Sequence, residues 1–411
     1  MKKNTLAHHN IRMLFWINLF GTASFIEPVL TLFYLERGLT EQHILWIMMF
    51  WSGSVLIGEL PTGIYADRFG AKISFMTGSA VRFISIVLLF YAAEPWQFFL
   101  YSSLNGISVT FFSGAEEALI YESLKRSREQ HLMDRAMGNI RSAVFLTSIV
   151  TVLAGAYLAK DLTDQQFHML IVLGMVFHAV EFFLLFFVRQ PPGEQSFRGN
   201  PFAHITTGIQ VIWSTPPLFW LFLNVSIVFI TAGAVFENFD QPFLTKAGLP
   251  VEWIGAFYAL SALLGFAVSR SIGLITSRVP HVVIMYVTGI GAAAGLLLAG
   301  LLGCSLLTAG AIFFGLRLIR AVRDPVYSQL TNDWIPSGSR ATTLSLLSII
   351  DSVLDLVIFG MLSGLADSGL SIVFLAAAAI ALIGALIPVK KAPAGKEANG
   401  ELKPDTRNGA F

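Results

Sequence analysis

Charge is scarce in this chain, and cysteine is almost absent. Charged residues make up 13% of its 411 positions, against about 25% in a soluble domain. Hydrophobic residues make up 55%, and the mean hydropathy is +0.68. That excludes an ordinary soluble fold. The formal net charge is +1, which gives no case for a nucleic-acid partner. Cys304 is the sole cysteine, which rules out an internal disulfide and a two-cysteine metal site. No Gly-rich loop ending in Lys offers a nucleotide cradle, and no His/Glu pair has zincin spacing. The polar segments are too short to house an enzyme domain. No catalytic set, cofactor or metal is expected.

What the chain has is long apolar runs. A hydrocarbon core about 30 Å thick takes roughly 20 helical residues to cross. Suitable runs fall near 11–35, 42–65, 73–92, 97–121, 139–159 and 166–188, then 217–240, 251–276, 281–302, 305–325, 341–366 and 369–389. The first follows a short basic N-terminus (Lys2, Lys3, Arg12). It is longer than the roughly 7–15 residues of a signal-peptide core and no cleavage pattern follows, so it reads as a retained span. The fold expected is all-α and integral to the membrane, with twelve transmembrane helices in two six-helix pseudo-symmetric bundles. Residues 1–188 form the first half, 189–215 a cytoplasmic linker, 216–389 the second half, and 390–411 a disordered cytoplasmic tail rich in Lys, Gly, Pro and Asn. Placing the N-terminus inside gathers Arg68, Lys72, Lys125, Arg126, Arg128, Arg135, Arg189, Arg198, Arg278 and Arg340 on the same side. Only Arg37, Lys160 and Lys246 then fall outside. That asymmetry puts both termini in the cytoplasm. The short aromatic-tipped ends, with Trp46, Trp96, Trp213, Trp253 and Trp334, fit interfacial belts.

The most telling ten residues are Gly63-Ile64-Tyr65-Ala66-Asp67-Arg68-Phe69-Gly70-Ala71-Lys72, a charged turn between two spans. A faint copy lies 210 positions on. The same shift takes Gly63 to Gly273, Arg68 to Arg278, Glu27 to Glu237, Gly38 to Gly248 and Leu39 to Leu249. Later in each half the shift falls to 205, taking Arg135-Ala136 to Arg340-Ala341 and Gly155 to Gly360. Tyr121 maps onto Tyr327 at 206. A loop about five residues shorter between spans nine and ten accounts for the change. An ordered series of matches at constant offset marks an internal repeat, the pattern of a two-fold repeated membrane transporter.

These features together resemble the major facilitator superfamily. The turn Gly63–Lys72 looks like that family's cytoplasmic signature, G-x-x-x-D-R-x-G-x-K. The likeness covers residues 11–389. The segments Glu59-Leu60-Pro61-Thr62-Gly63 and Ser113-Gly114-Ala115-Glu116-Glu117-Ala118-Leu119-Ile120-Tyr121 are similar to a bacterial drug-efflux branch. Two marks of proton-coupled drug antiporters in that branch are missing: there is no Arg between Gln97 and Ala115, and span five (Ser142 to Ala159) has Gly155 but no proline. The resemblance implies alternating access in the bacterial inner membrane. It also implies that Asp67 holds the cytoplasmic side closed against span eleven.

Candidate residues sort by depth. In the conformational motif, Gly63 and Gly70 permit a tight turn, Asp67 suits the N-terminus of a facing helix, and Arg68 and Lys72 also fix topology. The bland alternative is a topogenic turn. Glu27 and Glu237 sit roughly 24–30 Å above the cytoplasmic start of their helices. Intramembrane carboxylates are costly and mark water or a partner, so these two are candidates for coupling, gating or interfacial placement. Pro28 removes a backbone N–H beside Glu27 and opens the helix. Arg317, Arg320 and Asp324 share one helix face, as do Asp351 and Asp355. An Arg317–Asp351 contact is geometrically reasonable. A buried Asp holds a proton when alone and gives it up beside a guanidinium, which is either a coupling switch or a permanent ion pair. Glu59, Glu116, Glu117 and Arg141 fall in the cytoplasmic third, as an inner gate or an interfacial cluster. Arg82, His178 and Glu181 lie on spans that the resemblance makes peripheral, so packing or a local pair is expected of them rather than transport. Phe15, Trp16, Phe20, Phe25, Phe111 and Phe112 are either an aromatic cavity wall or lipid contact.

The function expected is secondary active transport of a small organic solute, coupled to protons, by a monomer in the lipid bilayer. Efflux of an amphipathic compound comes first. A cation-coupled nutrient or metabolite importer is the alternative, and a non-transporting sensor or scaffold the second.

Overall fold

The computed structural model describes residues 5–113, 115–191, 214–301, 305–335 and 340–391. Most of the expected linker (192–213) and tail (392–411) lies outside these residues, as do Gly114, Arg198, Trp213 and Cys304. No strand occurs among the described residues. Helices are what an apolar medium demands, since each one satisfies its own backbone. In chain order they are α1 (Leu6–Gly21), α2 (Leu30–Glu36), α3 (Glu41–Phe69), α4 (Ala71–Tyr91), α5 (Pro95–Thr110), α6 (Ala115–Ser127), α7 (Met133–Leu158) and α8 (Asp164–Leu185). Then come α9 (Pro216–Phe229), α10 (Phe236–Lys246), α11 (Val251–Arg270), α12 (Ile272–Thr276), α13 (His281–Leu301), α14 (Leu306–Trp334), α15 (Arg340–Ser363) and α16 (Leu370–Leu386). Starts carry hydroxyl caps where the chain leaves a turn: Thr40 before α3, Thr163 before α8 and Ser305 before α14. Each side-chain oxygen satisfies a free N–H of the first turn.

Eight helical stretches among the described residues are long and apolar enough to cross a membrane. The expected spans that fall outside that set have visible reasons. The first breaks after Gly21, and the fourth stops at Thr110 before restarting at Ala115. The tenth carries three arginines and an aspartate, and the last is 17 residues long. The continuous helices expected over 11–35 and 97–121 are therefore corrected to broken ones. The exterior is apolar, with Ile57, Phe145, Leu263 and Ile383 all well exposed. Such a surface suits hydrocarbon rather than water.

Among residues up to 188, α3 packs on α5, α4 on α5 and α8, and α1 on α6, α7 and α8. From 216 on, α13 packs on α14 and α16, and α9 on α16. The two sets meet through α3 with α15, α7 with α11, and α2 with α10. Thr31 and Gln241, 210 positions apart, touch directly: the Thr31 N–H donates to Gln241 Oε1 at 2.9 Å. Residues related by the repeat meet where a two-fold axis would pass. Gly38 and Gly248, another such pair, both adopt positive φ, 80° and 93°, a conformation glycine enters at little cost.

The seam is tight at the end holding the α2–α3 turn. A Cβ on Gly255 would collide with the Val152 carbonyl of the other set, and within the first set one on Gly155 would collide with the Phe25 carbonyl. Gln42 there donates to the Ser363 carbonyl at 3.2 Å. At the opposite end, Gly63, Gly138 and Gly273 have open space where a Cβ would point.

Candidate functional site

A cavity of about 720 Å³ lies between the two sets of helices. Its wall draws Glu27 from one set and Glu237, Arg320, Asp351 and Asp355 from the other. Its aromatic faces are Tyr34, Trp51, Tyr101, Phe229 and Phe359. Of the aromatic wall expected from the sequence, only Phe25 lines this cavity. Phe15, Trp16 and Phe20 pack on one another, and Phe20 on Phe177. The sequence shows how many aromatics exist, but only packing shows which way they face.

Glu27 reaches the cavity because the helix gives way before it. After Gly21 the chain leaves the α-helix and resumes as a 3₁₀ turn at Glu27–Val29, with Pro28 inside it. Among the described residues the Glu27 side chain has one hydrogen-bond partner, the Ser24 hydroxyl at 3.4 Å. Its backbone carbonyl accepts from Gln241 Nε2 at 2.9 Å. The corresponding stretch of the second half, Ile230–Val235, is a π-helix that runs straight into α10. There Glu237 is held by Arg320, whose Nη1 donates to both carboxylate oxygens at 2.9 and 3.1 Å.

The expected Arg317–Asp351 contact is not formed. Arg317 pairs with Asp240 at 2.8 Å, and Asp240 is fully buried. The reason is antiparallel register. Glu237 and Asp240 are three residues apart on α10, and Arg317 and Arg320 three apart on α14, so the charges interleave as 237 with 320 and 240 with 317. Tyr258 also donates its hydroxyl to Asp240. The Arg317 guanidinium lies 4.5 Å from the Tyr258 ring centre, and Asp324 adds a 3.5 Å contact to Arg320. Asp240 was missed because it marked the end of a predicted span. The matching i, i+3 spacing of acids and arginines was the signal available.

Asp351 and Asp355 share the cavity wall as expected. Asp355 accepts from Ser52 Oγ at 2.8 Å, which ties α15 to α3, and Asp351 lies beside Ser226. The proposed inner gate does not close on itself: no ion pair joins Glu59, Glu116, Glu117 and Arg141 among the described residues. Glu116 accepts instead from Asn18 Nδ2 at 2.6 Å, while Glu117 and Arg141 are exposed. In the Gly63–Lys72 turn, Gly70 sits at φ 86° and α4 starts directly after it. Lys72 Nζ donates to the Phe186 carbonyl at 2.6 Å. Asp67 and Arg68 are exposed. No contact between Asp67 and span eleven occurs among the described residues, and the side chains of 340–342, 344 and 345 at the start of that helix lie outside them.

Arg82, His178 and Glu181 form a local pair of the kind expected, extended to three residues. Arg82 Nη1 lies 3.7 Å from Glu181 and His178 Nδ1 lies 2.9 Å from it. Both Arg82 and His178 line the large cavity.

The sequence model of the Major Facilitator Superfamily matches residues 13–321. The chain belongs to that superfamily. It is therefore a multi-pass membrane transporter and not an enzyme. It is 31% identical over 114 residues to the multidrug resistance protein MdtH of Yersinia enterocolitica, a match covering 28% of this chain and 26% of that one. MdtH of Yersinia pestis is 31% identical over 106 residues, covering 26% and 24%. The chain thus spans about a quarter of the length of the curated relatives it matches. Among solved structures, the fold is similar to that of the nucleoside transporter NupG, with a TM-score of 0.71, 11% identity and coverage of 92% and 97%. It is similar too to a D-xylose-proton symporter, with a TM-score of 0.66, 13% identity and coverage of 93% and 95%.

Proposed function

We propose that this chain is a proton-coupled exporter of an amphipathic compound, working by alternating access. Twelve crossings form two six-helix halves, residues 1–188 and 216–389, joined by a cytoplasmic linker at 189–215. The chain works as a monomer in the bacterial inner membrane, with both termini and the 390–411 tail in the cytoplasm. The observation that carries this reading is the cavity. Its volume falls within the roughly 300–1,000 Å³ of small-molecule sites, and both halves line it with aromatic faces and carboxylates. Aromatic faces suit the apolar body of an amphipathic solute, and Glu27 suits a cation or a proton. The likeness to MdtH favours export. The tight seam at the α2–α3 end and the open glycines at the other fit a state open to the side of the Gly63–Lys72 turn. Asp67 would engage span eleven in the opposite state, where the helix dipole favours an anion.

The test is growth of a deletion strain. Hypersensitivity to ethidium and related amphipathic cations, relieved by the wild-type gene, supports export. A growth defect on a single nutrient supports import instead, the second reading, which the charged wall of Glu237, Arg320, Asp351 and Asp355 would also suit. Neither phenotype would favour the sensor or scaffold.

A further inference from the structure

The first half holds a buried charged set that the central cavity does not explain. Glu181, 1% exposed, lies on α8 and faces α1 and α4. Its carboxyl group presses on Gly21, the last residue of α1: a Cβ there would lie 2.6 Å from Glu181 Cδ. Only glycine lets the helix end sit directly on the carboxylate. Arg82 of α4 donates to the Gly21 carbonyl at 3.0 Å and also faces Glu181 at 3.7 Å. His178, one turn before Glu181, holds the other carboxylate oxygen through Nδ1 at 2.9 Å. The break in span one thus begins on the atoms of this set.

The set also separates two cavities. His178 and Arg82 line the central one. Arg82 and Glu181 line a second cavity of about 110 Å³, with Asn18 and Glu116 on its far wall. That space exceeds the roughly 30 Å³ that one water occupies in the liquid, and its walls offer several polar partners.

We propose that Glu181 is a proton-binding site of its own in the first half, with His178 as the donor that holds it and Arg82 as its link to the span-one hinge. It rests on the proton-coupled reading above and adds where the proton sits. A proton entering the smaller cavity bonds to a Glu181 oxygen, cancelling the charge that faces Arg82. Arg82 then keeps the Gly21 carbonyl, the Ser108 hydroxyl at 3.5 Å and the face of Phe112, 4.8 Å from the ring centre. The hinge residues 22–26 are released from the carboxylate beside them. On return, the Glu181 O–H bond breaks and the proton leaves through the same cavity, so one proton is bound and released per cycle.

The other groups near the set are few. The segment after α1 contributes Glu27 on the cavity wall, α5 contributes Tyr101 and Ser108, and α6 contributes Glu116. Asp134, Arg135 and Arg141 of α7 are exposed. A pH response of the hinge is therefore assigned to Glu181 with His178, and the Glu27 response is separable by substitution.

The experiment uses the full chain in lipid nanodiscs with Cys304→Ser and spin labels at Gly138→Cys and Leu274→Cys, both exposed. Distance distributions are recorded between about pH 3 and about pH 9, a range that brackets carboxylate and imidazole titration. No substrate is needed. The labelled parent, otherwise wild type, is expected to shift between two distances with pH. Glu181→Gln is expected to hold the low-pH distribution throughout, and Glu181→Asp to restore titration. His178→Asn, which keeps the carboxylate and removes the Nδ1 contact, is expected to move the pH at which the two distances exchange. If both Glu181→Gln and His178→Asn titrate like the parent, this site is wrong and the coupling reading stands. If the parent itself shows no pH response, both fail.

Discussion

Between Gly21 and Val29 the chain leaves the α-helix, whereas its counterpart 210 positions later, Ile230–Val235, stays helical with wider turns. The two stretches occupy equivalent places in the repeat and both lead to a cavity carboxylate. In the first half the break frees backbone groups inside the membrane, and they must be satisfied locally. The Thr22 hydroxyl donates to the Asn18 carbonyl at 2.7 Å and Arg82 takes the Gly21 carbonyl. In the second half the helix remains continuous and aligns Glu237 and Asp240 against Arg320 and Arg317. A broken segment with few holds is suited to move, and a helix zipped by two ion pairs is suited to stay. On the function proposed above, the repeat would place a hinge on one side of the cavity and a fixed wall on the other.

The largest effect that would sharpen this contrast lies in the wall. Arg317→Ala leaves Asp240 buried without its cation. Breaking such a pair costs about 3–5 kcal/mol, so thermal unfolding of the purified protein should fall steeply. The triple change Asp240→Leu, Tyr258→Phe and Arg317→Met removes every partner together and should recover most of the loss. A triple variant as unstable as Arg317→Ala would show that the charges themselves, and not an orphaned one, set the stability.

The packing behind the hinge comes next. Gly155→Val would push on the Phe25 carbonyl at the hinge, and overpacking of this kind costs about 1–3 kcal/mol. The hinge should be displaced, which raises labelling of a cysteine introduced at Leu30 by a membrane-impermeant reagent. The same substitution at Gly360, the repeat partner, meets only the end of the flexible Met49 side chain at 3.5 Å and should change labelling little. Equal effects at both glycines would erase the distinction between the halves.

Smaller effects separate the two carboxylates. Glu237→Gln should lower stability by about 1 kcal/mol or less, because its pair with Arg320 is partly exposed and such pairs are weak. Glu27→Gln has no ion pair to lose and should leave the unfolding temperature unchanged. The smallest effect on stability belongs to Asp67→Asn, which is exposed and unpaired among the described residues. Its transport rate should still fall several-fold, because a helix-terminus contact of about 0.3–1 kcal/mol biases a balanced equilibrium. A normal rate from well-expressed Asp67→Asn would return the turn to a topogenic role.

The membrane class and the 210-residue repeat could be read from hydropathy and from the ordered Gly, Arg and Glu matches. Thr31 on Gln241, and the shared positive φ of Gly38 and Gly248, agree with that repeat in space. What the sequence did not disclose depends on how helices face one another. The Arg317 partner turns on the register of α10 against α14, which no single run of residues encodes. The Arg82–Glu181 set joins residues about a hundred positions apart. The breaks at 22–26 and near Phe111 override an apolar pattern that looks continuous. Pro28 pointed to the first of these, and Gly114 was the mark available for the second.

The most direct test of the account is gradient-driven uptake of ethidium into proteoliposomes, with the purified chain and two variants. The wild type should concentrate ethidium only when a proton gradient is imposed. Glu27→Gln, on the hinge side, should equilibrate ethidium without concentrating it. The Asp240→Leu, Tyr258→Phe, Arg317→Met variant, on the wall side, should still concentrate it. If Glu27→Gln concentrates ethidium and the wall variant does not, coupling belongs to the second half and the assignment of hinge and wall is reversed.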